Sequence, residues 1–302
     1  MIEDVLEKYG YTKSQIETLK NKYLVKKTNQ DTLEKIVKDK IYFLEKIGYK
    51  LNEIIKMTVL FPSIFTYSND YIVDKIKYLI EKGYTKEEII KMTKIVPAIY
   101  GYKKESIDKK IELLETIGFS KKEILKMTVR TPAIYGYNNQ NIIDKIEDLK
   151  QIGYTKEQIL KMMKDFPGIF SHNIAFINEK INKFIEFGFS KKDTLNITSQ
   201  LPSLLGLSFE NTKEKIIFLR KIGLENVITS YPKKLMQSIE LMYARYNYLT
   251  KMKNISINEA TYKYIFYDDK RFVIQFGIDK KSILELFPYQ EEKSKTKKRS
   301  NV

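Results

Sequence analysis

Gly118-Phe119-Ser120-Lys121-Lys122-Glu123-Ile124-Leu125-Lys126-Met127, running on to Pro132-Ala133-Ile134-Tyr135-Gly136-Tyr137, is the stretch that decides the fold. Ser120 and Glu123 have the spacing of a capping box, in which each side chain satisfies a backbone N–H that a helix start leaves orphaned. A helix of about three turns follows, and Pro132 closes or bends it because proline lacks a donor and restricts the residue before it. Gly118 is placed to end the preceding helix in the left-handed region. Beyond the apolar link, Ile142, Ile146, Leu149 and Ile152 recur at helical spacing and predict a second helix from Asn141 to Ile152. The unit is two antiparallel helices joined by a tight turn around the proline. No alternation of period two supports a strand.

The same unit recurs along the chain. Gly48, Gly83, Gly118, Gly153, Gly188 and Gly223 stand 35 residues apart, and Pro62, Pro97, Pro132, Pro167 and Pro202 keep that interval. Caps recur as Thr85/Glu88, Thr155/Gln158 and Ser190/Asp193, with Thr12/Gln15 near the N-terminus. A two-helix unit buries its apolar face only by stacking on its neighbours. The expected fold is therefore all-α, a right-handed α-solenoid of about 35-residue helical repeats. Gly10 opens a divergent first unit, and the last unit is shortened, with nine residues from Gly223 to Pro232 instead of fourteen. The expected organisation is an array over residues 1–235, a helical C-terminal cap over 236–288 and a disordered basic tail over 289–302. Within the cap, Gly277-Ile278-Asp279 reads as a helix start and Asp268-Asp269 as a turn or helix cap.

Among 302 residues there is no cysteine, which excludes disulfides, thiolate metal sites and cysteine nucleophiles and fits a reducing compartment. No apolar run reaches the ~18 residues of a membrane span. The acidic start Met1-Ile2-Glu3-Asp4 does not resemble a targeting segment, so a cytoplasmic location is expected, with association with a nucleoid as its variant; a monomer is expected as well. His172 is the sole histidine and reads as a surface or capping residue. With no phosphate-cradling glycine loop and no ligand spacing, neither an enzyme nor a metal or other cofactor is expected. The net charge is +16, of which the tail carries +3, leaving +13 on the folded part to attract a polyanion.

Repetition sorts the lysines into columns. Lys40, Lys75, Lys110, Lys145, Lys180 and Lys215 share a position in successive second helices. Lys56, Lys91, Lys126 and Lys161 share one in the first helices, where Asn196 interrupts the series. Lys86, Lys121, Lys156 and Lys191, with Lys13 aligned, stand at the caps, where they oppose the helix dipole. Such columns form stripes that suit the regular charge of a nucleic-acid backbone, and any of the three could face it. The links Phe65-Thr66-Tyr67, Tyr100-Gly101-Tyr102 and Tyr135-Gly136-Tyr137 suit either packing between helices or stacking on bases. The triplets before the prolines vary, and Arg130 among them has the chemistry to grip a phosphate or guanine.

The frame Leu79-Ile80-Glu81-Lys82-Gly83-Tyr84-Thr85-Lys86-Glu87-Glu88-Ile89, continuing to Pro97-Ala98-Ile99-Tyr100, resembles the repeat of the mitochondrial transcription termination factor (mTERF) family. So do Leu114 to Ser120 with Pro132-Ala133-Ile134, and Leu219 to Leu224; the likeness runs from about Ile36 to Leu235. It implies an array of helical triplets, two α-helices and a short 3₁₀ turn each, that binds double-stranded DNA or RNA in transcription termination, transcription regulation or ribosome assembly. The family's base-contacting arginines have no clear equivalents here, and the absence of a transit segment suggests a bacterial or non-organellar member. Duplex DNA is the favoured partner over RNA, and the rival expectation is a non-catalytic protein-interaction scaffold.

Overall fold

A computed structural model describes residues 2–24 and 30–289. Residues 25–29 of the divergent first unit lie outside the described residues, as does the expected tail from residue 290 on. Among the described residues every regular element is helical. The chain runs through α1 (Ile2–Lys8), α2 (Lys13–Leu19), α3 (Gln30–Ile47), α4 (Leu51–Leu60), α5 (Asn69–Lys82), α6 (Lys86–Ile95), α7 (Lys104–Ile117), α8 (Lys121–Arg130) and α9 (Asn139–Ile152). It continues through α10 (Lys156–Asp165), α11 (Ile174–Glu186), α12 (Lys191–Gln200), α13 (Phe209–Lys221), α14 (Glu225–Ser230), α15 (Ile239–Asn247), α16 (Asp269–Phe276) and α17 (Lys280–Leu286). Two compact units result, Met1–Gln151 with Met163–Ser171, and Ile152–Met162 with His172–Val302. In the first, α4, α6 and α8 pack on one another in order; in the second, α12 packs on α14 and α15 on α17.

The glycine and proline metre is built as its chemistry dictates. All six glycines from Gly48 to Gly223 have φ between +74° and +121°, where a side chain would be strained. At Gly48 and Gly83 a Cβ would also stand 3.2 and 3.3 Å from Ile90 and Leu125, side chains on the next unit's first helix. Each proline opens a five-residue 3₁₀ turn, as at Pro97–Gly101 and Pro132–Gly136. The capping boxes form at Thr12/Gln15, Thr85/Glu88 and Ser120/Glu123. Thr155 and Gln158 exchange the same pair of bonds. Shortening of the last unit leaves α14 six residues long. Asp268 and Asp279 cap α16 and α17.

Neighbouring repeats are joined by buried hydroxyls. Tyr49 and Tyr84, each following a unit glycine, reach Thr93 and Thr128 on the next first helix, 44 residues on. Each threonine donates to the carbonyl four residues back, Ile89 at 2.7 Å and Ile124 at 2.8 Å. With its one proton so committed, the threonine accepts from the tyrosine, and a second tyrosine from the link donates in turn: Tyr100 to Tyr49 at 2.6 Å, and Tyr135 to Tyr84. Tyr11–Thr58 and Tyr154–Thr198 repeat the pair at 2.8 and 2.7 Å. Where the tyrosine position holds Phe119, the threonine position holds Met163. Both hydroxyls are lost together; a tyrosine hydroxyl kept there without the threonine would lose its acceptor in the core.

The structure places the second-helix lysine column inside the array, contrary to the expectation of phosphate contact. Lys40, Lys75, Lys110, Lys145 and Lys180 are buried, Lys75 and Lys110 being only 2% exposed, and Lys215 is half-buried. The ammonium of Lys40 donates to the Tyr67 carbonyl at 2.6 Å and to Asn69 Oδ1 at 2.7 Å. Lys75 donates to the Tyr102 carbonyl, Lys110 to that of Tyr137 at 2.5 Å and Lys215 to that of Leu235 at 2.8 Å. Lys180 lies 4.9 Å over the ring of Phe176. In the bonded cases each lysine fastens its own second helix to the following unit's link. These groups are not available to a phosphate backbone. Burial pushes the ammonium pKa of Lys40 and Lys110 down to about 8.

Three outcomes are expected. Lys110→Met keeps the stem but strips the Tyr137 carbonyl of its donor, and urea titration should show a loss of about 1–3 kcal/mol. Thr198→Val should cost a similar ~1–3 kcal/mol, most of it recovered in the double variant with Tyr154→Phe, which copies the Phe119/Met163 arrangement. Stability should also depend on alkaline pH in a definite order. Burial depresses Lys40 and Lys110 from 10.5 to about 8, so the unfolded chain holds more protons above pH 8 and their contribution grows from about 8 towards 10.5. Burial raises Tyr11 and Tyr154 from 10.0 to about 12, so their contribution is intact below 10 and is lost from about 10 to 12. Melting temperature measured across this range should therefore rise and then fall, with tyrosinate absorbance appearing together with the loss of helix.

Candidate nucleic-acid interface

With one column internal, the two lysine columns that remain exposed lie on the first helices. Lys86, Lys121, Lys156 and Lys191 are all exposed at the helix starts. Lys121 and Lys191 nevertheless have a local role. Lys121 Cε passes 3.7 Å from where a Cβ on Gly83 would stand, and Lys191 Nζ 3.9 Å from that on Gly153. Those glycines follow the C-terminal ends of α5 and α9, whose dipoles attract a cation. This offsets the unfavourable dipole of the lysine's own helix. Just before the shortened last unit, Arg220 in the last turn of α13 takes over the task, donating to the Phe187 carbonyl at 2.9 Å, lying over the rings of Phe187 and Phe189 and pairing with Glu225 at 2.8 Å.

The mid-helix column differs. Lys56, Lys91 and Lys126 are exposed and Lys161 is half-buried. Among the described residues no acid pairs with Lys56, Lys91 or Lys126, while the neighbouring acids are engaged elsewhere: Glu53 with Lys94 at 2.9 Å and Glu123 with Lys164 at 3.2 Å. Asn196 interrupts the column because its amide ties α12 to the Thr229 carbonyl at 3.1 Å. On α8 the column is reinforced by Lys122 and Arg130, one turn to either side of Lys126 and likewise exposed. These three cations stand within about 12 Å on one helix face. Lys122 was not legible from the columns, since Glu87 and Glu157 occupy its place in other units.

Arg130 is distinguished by what the other arginines do. Arg245 is 1% exposed, donates to the carbonyls of Ile265 and Tyr267 and pairs with Asp269 at 2.8 Å. Arg220 is held as above, and Arg271 lies 4.0 Å over the Tyr267 ring. Arg299 is outside the described residues. The aromatic links are packed rather than presented. Tyr100 and Tyr135 are buried, and the hydroxyls of Tyr67 and Tyr102 come so close to Gly101 and Gly136 that a Cβ there would meet them at 2.5 and 2.6 Å. His172 is half-buried and stacks on Phe176 at 5.6 Å.

The exposed chemistry is thus that of cations on evenly repeated helices, suited to holding a row of phosphates. Among the described residues no helix is long and apolar enough to cross a membrane. Comparison with curated proteins returns no match. The family model mTERF matches residues 4–115 and 100–273, nearly the whole of the described chain. With its glycine–cap–proline repeat, its two helices and 3₁₀ turn per unit and this match, the chain belongs to the mTERF family of nucleic-acid-binding helical-repeat proteins.

Proposed function

We propose that the protein binds double-stranded DNA without catalysis, holding the phosphate backbone with Lys56, Lys91 and Lys126 and reinforcing that grip with Lys122 and Arg130, in the service of transcription regulation or termination. The observation that carries this is the recurrence of unpaired, exposed lysines at equivalent positions on three helices packed in order. Packed helices stand about 8–10 Å apart, so successive lysines meet every third step or so of a strand rising 3.4 Å per nucleotide. The cap lysines Lys86, Lys121, Lys156 and Lys191 add flanking positive potential, which steers a polyanion even where their stems are committed to neighbouring helices.

Binding to duplex DNA, single-stranded DNA and structured RNA, each at several salt concentrations, tests the proposal. Duplex DNA should bind tightest, with affinity falling steeply as salt rises. Replacing Lys56, Lys91 and Lys126 together by Gln should lower affinity for all duplex sequences and flatten the slope of log K against log salt by about 3. The melting temperature should be unchanged, since none of the three is buried. Tighter binding to RNA at every salt, or a triple variant indistinguishable from the parent, would overturn the assignment.

A further inference from the structure

In the three units whose first helices are α4, α6 and α8, the triplet before the proline has one outward member. The residue three before the proline is buried or ion-paired in several units, as with Val129 and with Lys94, which is bonded to Glu53 at 2.9 Å. The residue immediately before it is half-buried in Phe61, Val96 and Thr131. The residue two before it is exposed: Leu60 at 63%, Ile95 at 51%, and Arg130. These three sit four residues beyond Lys56, Lys91 and Lys126, one turn further along the same faces of α4, α6 and α8.

We propose that this row reads bases, Leu60 and Ile95 through apolar contact with a thymine methyl and Arg130 through guanine, while the lysine row one turn away holds the backbone. The inference rests on the duplex-binding function proposed above. Its basis is the contrast between two adjacent rows on one surface. The lysine row is uniform, as a sequence-independent contact requires. The second row is exposed on the same three helices and its chemistry changes along them: apolar, apolar, then guanidinium. In the following unit the equivalent, Asp165, is half-buried and the row ends. Leu60 and Ile95 offer a phosphate nothing, yet large apolar side chains stand exposed beside a cationic row. The thymine methyl in the major groove supplies the apolar contact, and the guanine O6/N7 edge matches the fork of Arg130. With neighbouring helices about 8–10 Å apart, contacted bases should fall about three base pairs apart.

Selection from a random-sequence duplex DNA library at moderate salt tests this, using the full chain. The parent should enrich a guanine, with thymine favoured about three and six base pairs to one side. Changing the guanine to adenine should weaken parent binding on the order of tenfold. Arg130→Gln should shift that position to adenine, the base whose N6/N7 edge glutamine matches. Lys126→Gln should weaken every sequence alike and leave the selected pattern intact. Guanine enrichment that survives Arg130→Gln, or tight, salt-dependent duplex binding with no base preference, would overturn the reading row and leave the duplex function standing. Failure of the parent to bind duplex DNA at all would overturn both.

Discussion

The array depends on a cation buried against a carbonyl. After each 3₁₀ turn the backbone passes into an extended residue, as at Tyr102 with φ −68° and ψ +138°, before the next helix begins. The carbonyl there lies in the link between the two helices of a unit and belongs to neither helix ladder. A buried carbonyl without a donor is costly, and no nearby backbone N–H takes the place. Lysine from the preceding second helix spans the gap with its apolar stem packed in the core and its ammonium on the carbonyl of Tyr67, Tyr102 or Tyr137. Desolvation of the ammonium opposes this and depresses its pKa, while the charge-assisted bonds favour it. Because each bond joins one repeat to the next, the same contact fixes the register of neighbouring units.

Much of the fold was legible because glycine and proline act through the backbone alone. A left-handed residue at Gly83 or Gly118 and a missing donor at Pro97 or Pro132 need no tertiary context to be recognised, and the capping boxes are equally local. The lysines were not legible in the same way. A recurring lysine in a repeat protein is equally the mark of a surface stripe or of a recurring internal bond, and its charge suggests the surface. What separates the two cases is a partner 27 residues ahead, at the end of the next link.

Counting from the proline instead of the glycine would have supplied one clue. Lys75, Lys110, Lys145, Lys180 and Lys215 each lie 13 residues after their proline, and 13 residues after Pro232 stands Arg245. The glycine metre misses it because the last unit lost residues between its glycine and its proline. A guanidinium reaches two carbonyls, of Ile265 and Tyr267, and an acid at once, which suits the junction to a cap that is not a repeat. The joint change to Phe119 and Met163 is a similar clue, readable only once the tyrosine and threonine positions are known to meet.

Internal lysines also sharpen what the surface does. If the most regular column is structural, its charge says little about a ligand, and the overall excess of +16 overstates the binding surface. What remains on the first helices is divided by depth and direction. At the helix start, Lys121 and Lys191 lean on the preceding unit's helix end; at mid-helix, Lys56, Lys91 and Lys126 stand clear; at the last turn of the same three helices, Leu60, Ile95 and Arg130 are exposed and differ from one another. A stacked repeat keeps its internal contacts identical because each unit must fit the next, whereas an outward position carries no such demand. Uniformity in an exposed row therefore has a different physical meaning from uniformity in a buried one: packing accounts for Lys75 and Lys110, but not for Lys91 and Lys126. A ligand with the same charge at every step supplies the missing constraint, and a polymer that varies only beyond its backbone is the kind against which a uniform row and a variable row lie side by side.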